Sequence, residues 1–120
     1  MTTLKNALQA VVESKPEYSL AVHELACALE DMLVPIIIEE ATKDALSGRT
    51  YNIITVHSEQ ILAKLTEDTR RTYYDTPKYR LVDTLVRYRL ETHPYVGSCI
   101  ADIEYDGWAD NISVNLNWSK

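Results

Sequence analysis

The C-terminal stretch 98–118 limits most what this chain can fold into. Cys99, Ala101, Ile103 and Tyr105 alternate with Ser98, Asp102 and Glu104. Ile112, Val114, Leu116 and Trp118 alternate with Ser113, Asn115 and Asn117. Residues two apart share a face of a strand, so the pattern predicts two strands with one face buried. Asp106-Gly107 marks the turn, and the connection from Asp106 to Asn111 is longer than a two-residue loop. A lone hairpin is marginal in water, so its apolar face needs a second layer from upstream.

Upstream the period changes to that of a helix. Leu4, Ala7, Leu8, Val11 and Val12 predict a helix over 3–14, ended by Pro16. Ser19 is the expected cap of the next one. Its apolar stripe is Val22, Leu25, Ala26, Leu29, Leu33 and Ile36. Pro35 lacks a backbone donor and is expected to divide this helix, leaving a second piece from Pro35 to Leu46 that Gly48 stops. Tyr51–His57 is β-branched and short, a strand. Ser58 is the expected cap of a helix with Ile61, Leu62 and Leu65 on its apolar side. Thr76-Pro77 predicts a further helix start, with Leu81, Leu85 and Tyr88 on one stripe and Val82, Val86 and Leu90 beside it. The fold class is therefore α+β: four to five helices with a small C-terminal antiparallel hairpin or sheet, to which Tyr51–Val56 adds a third strand. From residue 51 to 118 the order strand, helix, helix, hairpin is that of a winged helix, with 77–91 as recognition helix.

Length and composition fit one domain over 1–120. The chain is 46% hydrophobic and 25% charged, ordinary for a globular protein. Its longest apolar run, Met32 to Ile38, is far short of the ~20 residues that span a bilayer. With no signal peptide and two cysteines, Cys27 and Cys99, the expectation is a cytoplasmic protein with reduced thiols and no membrane partner.

Charge is distributed unevenly. The formal charge is -6, yet 70–89 holds Arg70, Arg71, Lys78, Arg80, Arg87 and Arg89 against Asp75 and Asp83, interleaved with Tyr73, Tyr74, Tyr79 and Tyr88. Arginine and tyrosine dominate protein interfaces. Lysine and arginine also neutralise phosphates, and tyrosines stack on bases. A solvated amphipathic face, with ion pairs from Arg80 and Arg87 to Asp83, explains the same residues. Residues 1–48 carry eight acids against three lysines, a face for a basic partner or for solubility.

No residues nominate a reaction. His57-Ser58 lacks a nucleophile elbow, and with three glycines there is no phosphate-cradling loop. His23 and Cys27 share a helix face and with His57, His93 or Cys99 would give zinc donors, but no Cys-x-x-Cys or paired-histidine motif supports a site. No metal, cofactor or catalytic residue is expected.

One segment resembles a known family. His23-Glu24, Glu30-Asp31, Val34-Pro35 and Glu39-Glu40-Ala41 are similar to the helical segment of small phage-encoded antirestriction proteins of the Ocr type, over residues 20–48. Those are acidic, helical, dimeric DNA mimics that fill the DNA groove of restriction enzymes. The basic stretch 70–89 and the hairpin depart from that pattern, so the resemblance implies a phage origin and a role against a host enzyme more than mimicry itself.

The expected function is a small non-enzymatic phage-type inhibitor. It would bind and sterically block a host defence machine, a restriction or CRISPR type nuclease complex, in the host cytoplasm. The expected partner-binding residues are Arg70, Arg71, Tyr73, Tyr74, Lys78, Arg80, Arg87 and Arg89; the partner is a host protein or nucleoprotein complex. The alternative is a winged-helix DNA-binding regulator using Lys78, Arg80, Arg87 and Arg89. A third reading, a small enzyme or ligand sponge, calls for a concave pocket. The uncharged last strand, 112–118, read as an edge, predicts a homodimer through it.

Overall fold

The computed structural model describes residues 3–6, 8 and 20–119. Residues 4–6 and 8 are helical; the rest of the helix expected over 3–14, its stop at Pro16 and the Ser19 cap lie outside the described residues. The fold is α+β, a three-stranded antiparallel sheet with helices packed on one face.

Helix α1 (Leu20–Leu46) is continuous. Pro35 does not divide it, contrary to the sequence expectation. The reason lies in which side Pro35 faces. Leu33 and Ile37 are buried, but Pro35 is exposed, so water can satisfy the Asp31 carbonyl that the ring leaves without its donor. Gly48 stops the helix as expected, at φ +87, and Arg49 N–H closes back on the Asp44 carbonyl at 2.9 Å.

Strand β1 (Tyr51–His57) leads into α2 (Ser58–Lys64), and α3 (Glu67–Asp75) follows, with Thr66 as its cap. Ser58 is not a cap. His57 holds that position and its N–H donates to Gln60 Oε1 at 2.9 Å, which leaves Ser58 inside the first turn and buried. Thr76 is not the N-cap of the next helix, a position held by Pro77, but the C-cap of α3, its hydroxyl turned back to the Thr72 carbonyl at 2.6 Å. The next helix, α4, covers 78–91 in three parts: Lys78–Arg80, a π segment Leu81–Val86, and Arg87–Glu91. Residues five apart stack in a π turn. This lets Leu81 and Val86 both reach the core along with Val82 and Leu90, while Leu85 is half-buried. Tyr88, placed on the apolar stripe by α-helical spacing, is exposed instead.

After a single 3₁₀ turn (Gly97–Cys99) come β2 (Ile100–Asp106) and β3 (Asn111–Asn117). The strand order is β1-β3-β2. The last strand is thus the centre of the sheet, not an edge, and the expectation of self-association through 112–118 fails because both its sides are paired within the chain. A bulge between Ile100 and Asp102 breaks the alternation read from sequence, so Ala101 is exposed. Three helical segments lie between β1 and β2, one more than the winged-helix order contains.

The core lies between the sheet and the helices. Val22, Leu25, Ala26, Leu29, Leu33 and Ile37 of α1 meet Leu81, Val82, Val86 and Leu90 of α4 and the inner face of the sheet, Ile54, Val56, Ile103, Ile112, Val114 and Leu116. Gly97 closes one end. A Cβ there would lie 2.4 Å from the Glu91 carbonyl oxygen, a backbone atom that cannot step aside. Gly97→Ala is expected to lower stability by about 1–2 kcal/mol, read as a shift in the urea midpoint at unchanged m.

Candidate functional site

The basic segment proves to be largely internal bracing. Arg70 Nε donates to the Leu62 carbonyl at 2.7 Å and caps the end of α2. Lys78 Nζ donates to the carbonyls of Tyr73 and, at 2.8 Å, Thr76, and lies 4.4 Å over the Tyr73 ring. It thereby neutralises the C-terminal end of α3. Burial lowers its pKa, opposed by Asp110 and Asp75. Arg87 pairs with Asp102 at 2.9 Å and donates to the Ile103 carbonyl at 2.5 Å. Arg89 faces Glu30 with contacts of 3.2 and 3.3 Å, joining α4 to α1. Of the eight residues expected to bind a partner, Tyr73 is 2% exposed and sits in the core. Arg70, Arg71, Tyr74 and Arg80 are exposed.

A different cluster forms where the β2–β3 hairpin meets the start of α2, the end of α3 and the start of α4. Its centre is Asp110. This residue has a left-handed backbone, φ 52, a conformation that aspartate tolerates. Its carbonyl accepts from Ser58 N–H at 2.9 Å. Its Oδ1 accepts from Ser58 Oγ at 2.8 Å and from the Tyr105 hydroxyl. A carboxylate only accepts, so Ser58 must donate to it, and Tyr73 must then donate to Ser58 across their 2.6 Å contact. The hydroxyls of Tyr105 and Ser58, followed by Lys78 and His57, hold the Asp110 pKa below its ordinary value against the opposing effect of burial. Burial and the Asp110 bond push Tyr105 well above the ordinary tyrosine range. Burial also raises Tyr73.

Ser58, Tyr73 and Lys78 in one cluster invite a catalytic reading, but the geometry serves bracing. The serine is 3% exposed, its hydroxyl is held on both sides, and the tyrosine is shifted away from phenolate.

What the cluster braces is the hairpin tip. Asp106 Oδ1 accepts from the N–H groups of Trp108 and Ala109 at 2.9 and 3.3 Å. Tyr79 packs edge-on to Tyr105 with centroids 5.4 Å apart, and its hydroxyl lies where a Cβ on Gly107 would be, 2.6 Å away. Trp108 projects from this support fully exposed, at 101%. Tyr79 and Tyr74 are exposed too. Trp108 is not among the residues that the sequence nominates for partner binding. The available signal was an indole inside a turn, flanked by Asp106-Gly107, where nothing can cover it. The second tryptophan, Trp118, is docked instead: its Nε1 donates to the Arg49 carbonyl at 2.9 Å.

Elsewhere, Glu24, Asp31 and Glu39 are exposed along α1. An open groove of about 440 Å³ runs beside Pro35, lined by Ala28, Met32, Ile36 and Leu65 with Asp31, Glu39 and Lys64. His23 and Cys27 meet at 3.8 Å as their spacing predicts. Among the described residues, no three of His, Cys, Asp and Glu gather as a metal site, and no helix is long and apolar enough to cross a membrane.

Compared with protein-family models, curated proteins and solved structures, the chain matches none.

Proposed function

We propose that this protein is a non-enzymatic binder of another protein, and that it docks through the hairpin tip. The observation that carries the reading is Trp108, fully exposed on a turn braced through Asp110, Ser58 and Tyr105. An exposed indole on a braced backbone suits an apolar pocket, and the turn beneath it needs no ordering on binding. Tyr79, against Gly107, is exposed next to it, and Arg71, Tyr74 and Arg80 are further exposed arginines and tyrosines on α3 and α4. The Ocr-type resemblance of residues 20–48 offers the target class: a host restriction or CRISPR type nuclease complex, blocked sterically in the host cytoplasm.

The DNA-regulator reading relies on Lys78, Arg80, Arg87 and Arg89. Arg87 and Arg89 hold β2 and α1, and Lys78 holds α3. Acidic Asp106 flanks the tip itself. These placements favour the protein partner.

The test compares tagged wild type with Trp108→Ala in a nuclease-treated bacterial lysate, washed at rising salt. The expected result is a defined protein held by wild type at high salt and bound at least about tenfold more weakly by the variant, with thermal stability unchanged. Recovery of nucleic acid alone, leaving as salt rises, overturns the proposal in favour of phosphate binding.

A further inference from the structure

The two edges of the sheet differ in kind. Pairs Thr50–Trp118 and Ser58–Asp110 are hydrogen bonded at the ends of the β1–β3 ladder, with N···O distances of 2.9 Å. The register between them is unbroken. Even-numbered residues of β1 therefore bond to β3, and the N–H and C=O groups of Tyr51, Ile53, Thr55 and His57 point to the open side. On β2 the same register turns Ile103 outward.

The β2 edge is protected. It carries Asp102, Glu104 and Asp106 and a bulge, and the Arg87 guanidinium occupies the outward Ile103 carbonyl. The β1 edge has none of these. Tyr-Asn-Ile-Ile-Thr-Val-His is seven residues long without a charged Lys, Arg, Asp or Glu, a proline or a bulge. Tyr51 and Ile53 are 65% and 63% exposed. Two of the outward donors have local side-chain partners that a pairing strand would displace: Ile53 N–H with the Asn52 side chain at 2.7 Å and His57 N–H with Gln60 at 2.9 Å.

We infer that this edge pairs with the same edge of a second copy, antiparallel, joining two sheets across a two-fold axis at Ile54. In this register Ile53 meets the partner's Thr55 and Tyr51 meets the partner's His57, each an outward-facing pair able to exchange ladder bonds. Charge selects the register. Arg49, which faces Asp44 at 3.6 Å in its own chain, precedes the strand and Glu59 follows it in the first turn of α2; both are exposed, five residues from Ile54 on either side. The two-fold axis brings each Arg49 to the partner's Glu59. Pairing centred on Ile53 or Thr55 loses that match. The inference rests on the open side of β1 and uses none of the hairpin-tip contacts, which lie beyond its His57 end.

Sedimentation equilibrium of the full chain over a wide concentration range tests it. Wild type is expected to show a monomer–dimer equilibrium. Ile53→Lys, which places a charge on an already exposed position, is expected to weaken it at least about tenfold without changing thermal stability extrapolated to low concentration. Arg49→Glu and Glu59→Arg are each expected to weaken the dimer several-fold, and the double charge swap to restore it. A chain that stays monomeric at the highest concentration overturns the inference and leaves the edge to a foreign strand. A dimer indifferent to Ile53→Lys overturns it by placing the contact elsewhere. Failure of the double swap to restore pairing overturns the Ile54 register.

Discussion

Asp110→Ala is expected to destabilise the protein by about 3 kcal/mol. Three losses combine. The buried Ser58 hydroxyl loses its charged acceptor, worth about 1.5–3 kcal/mol, less here because Asp110 itself is largely open to solvent. Tyr105 loses its partner. Alanine must also hold the left-handed backbone at φ 52, at about 1 kcal/mol. Asp110→Asn keeps the backbone and an acceptor oxygen, so about 1 kcal/mol is expected. Chemical denaturation at pH 7 measures both. The pH dependence gives the sign. Asp110 has a folded pKa below its unfolded one. Its contribution is fully present above the unfolded value, near 4, and is lost as pH falls through the folded value. The gap between wild type and Asp110→Asn should therefore close in acid and hold steady from about pH 5 upward. A gap that widens on acidification would mean that another group carries the bracing. Binding by Asp110→Asn, measured beside Trp108→Ala, then reports how far the tip depends on its support.

Pro35→Ala is expected to stabilise the protein by about 2 kcal/mol, raising Tm by several degrees. Proline in a helix interior is about 3 kcal/mol worse than alanine, and about 0.4–1 kcal/mol of that is returned through its stiffening of the unfolded chain. The gain requires an unbroken helix that has room for the missing bond, and α1 offers both: it runs Leu20–Leu46, and Pro35 is exposed. Were Pro35 instead a joint between two helices, alanine would strain that joint and the variant would be less stable than wild type. Thermal unfolding of the single variant separates the two.

How much was legible in the sequence follows from which forces are local. The hairpin, the β1 strand and the Gly48 stop could be read because alternation, β-branching and a left-handed glycine act within a few residues. The α+β class followed from those elements. Pro35 was misread because its effect depends on which side of α1 faces water, a tertiary fact. The Leu81–Leu85–Tyr88 stripe was misread because a π turn replaces three-and-four spacing with five. The last strand was misread as an edge because sequence order says nothing of whether β1 adds beside β2 or β3. The basic cluster was visible as charge, but its partners are the Leu62 and Ile103 carbonyls, Asp102 and Glu30, spread across three elements. Asp110 gave no local signal. Its importance comes from Ser58, which is 52 residues away in the chain.

The central position of β3 also has a consequence for synthesis. Ile54 pairs with Val114, so β1 leaves the ribosome sixty residues before the strand that completes it. At about 5–20 residues per second that is roughly 3–12 s, during which the segment Ile53–Val56 has no ladder on either side. Helix α1, built from neighbours, can form at once and lie across β1 in the meantime. The sheet itself must wait, because both outer strands depend on the last one made. Translation speed over 58–110 therefore sets how long both edges of β1 stand unpaired.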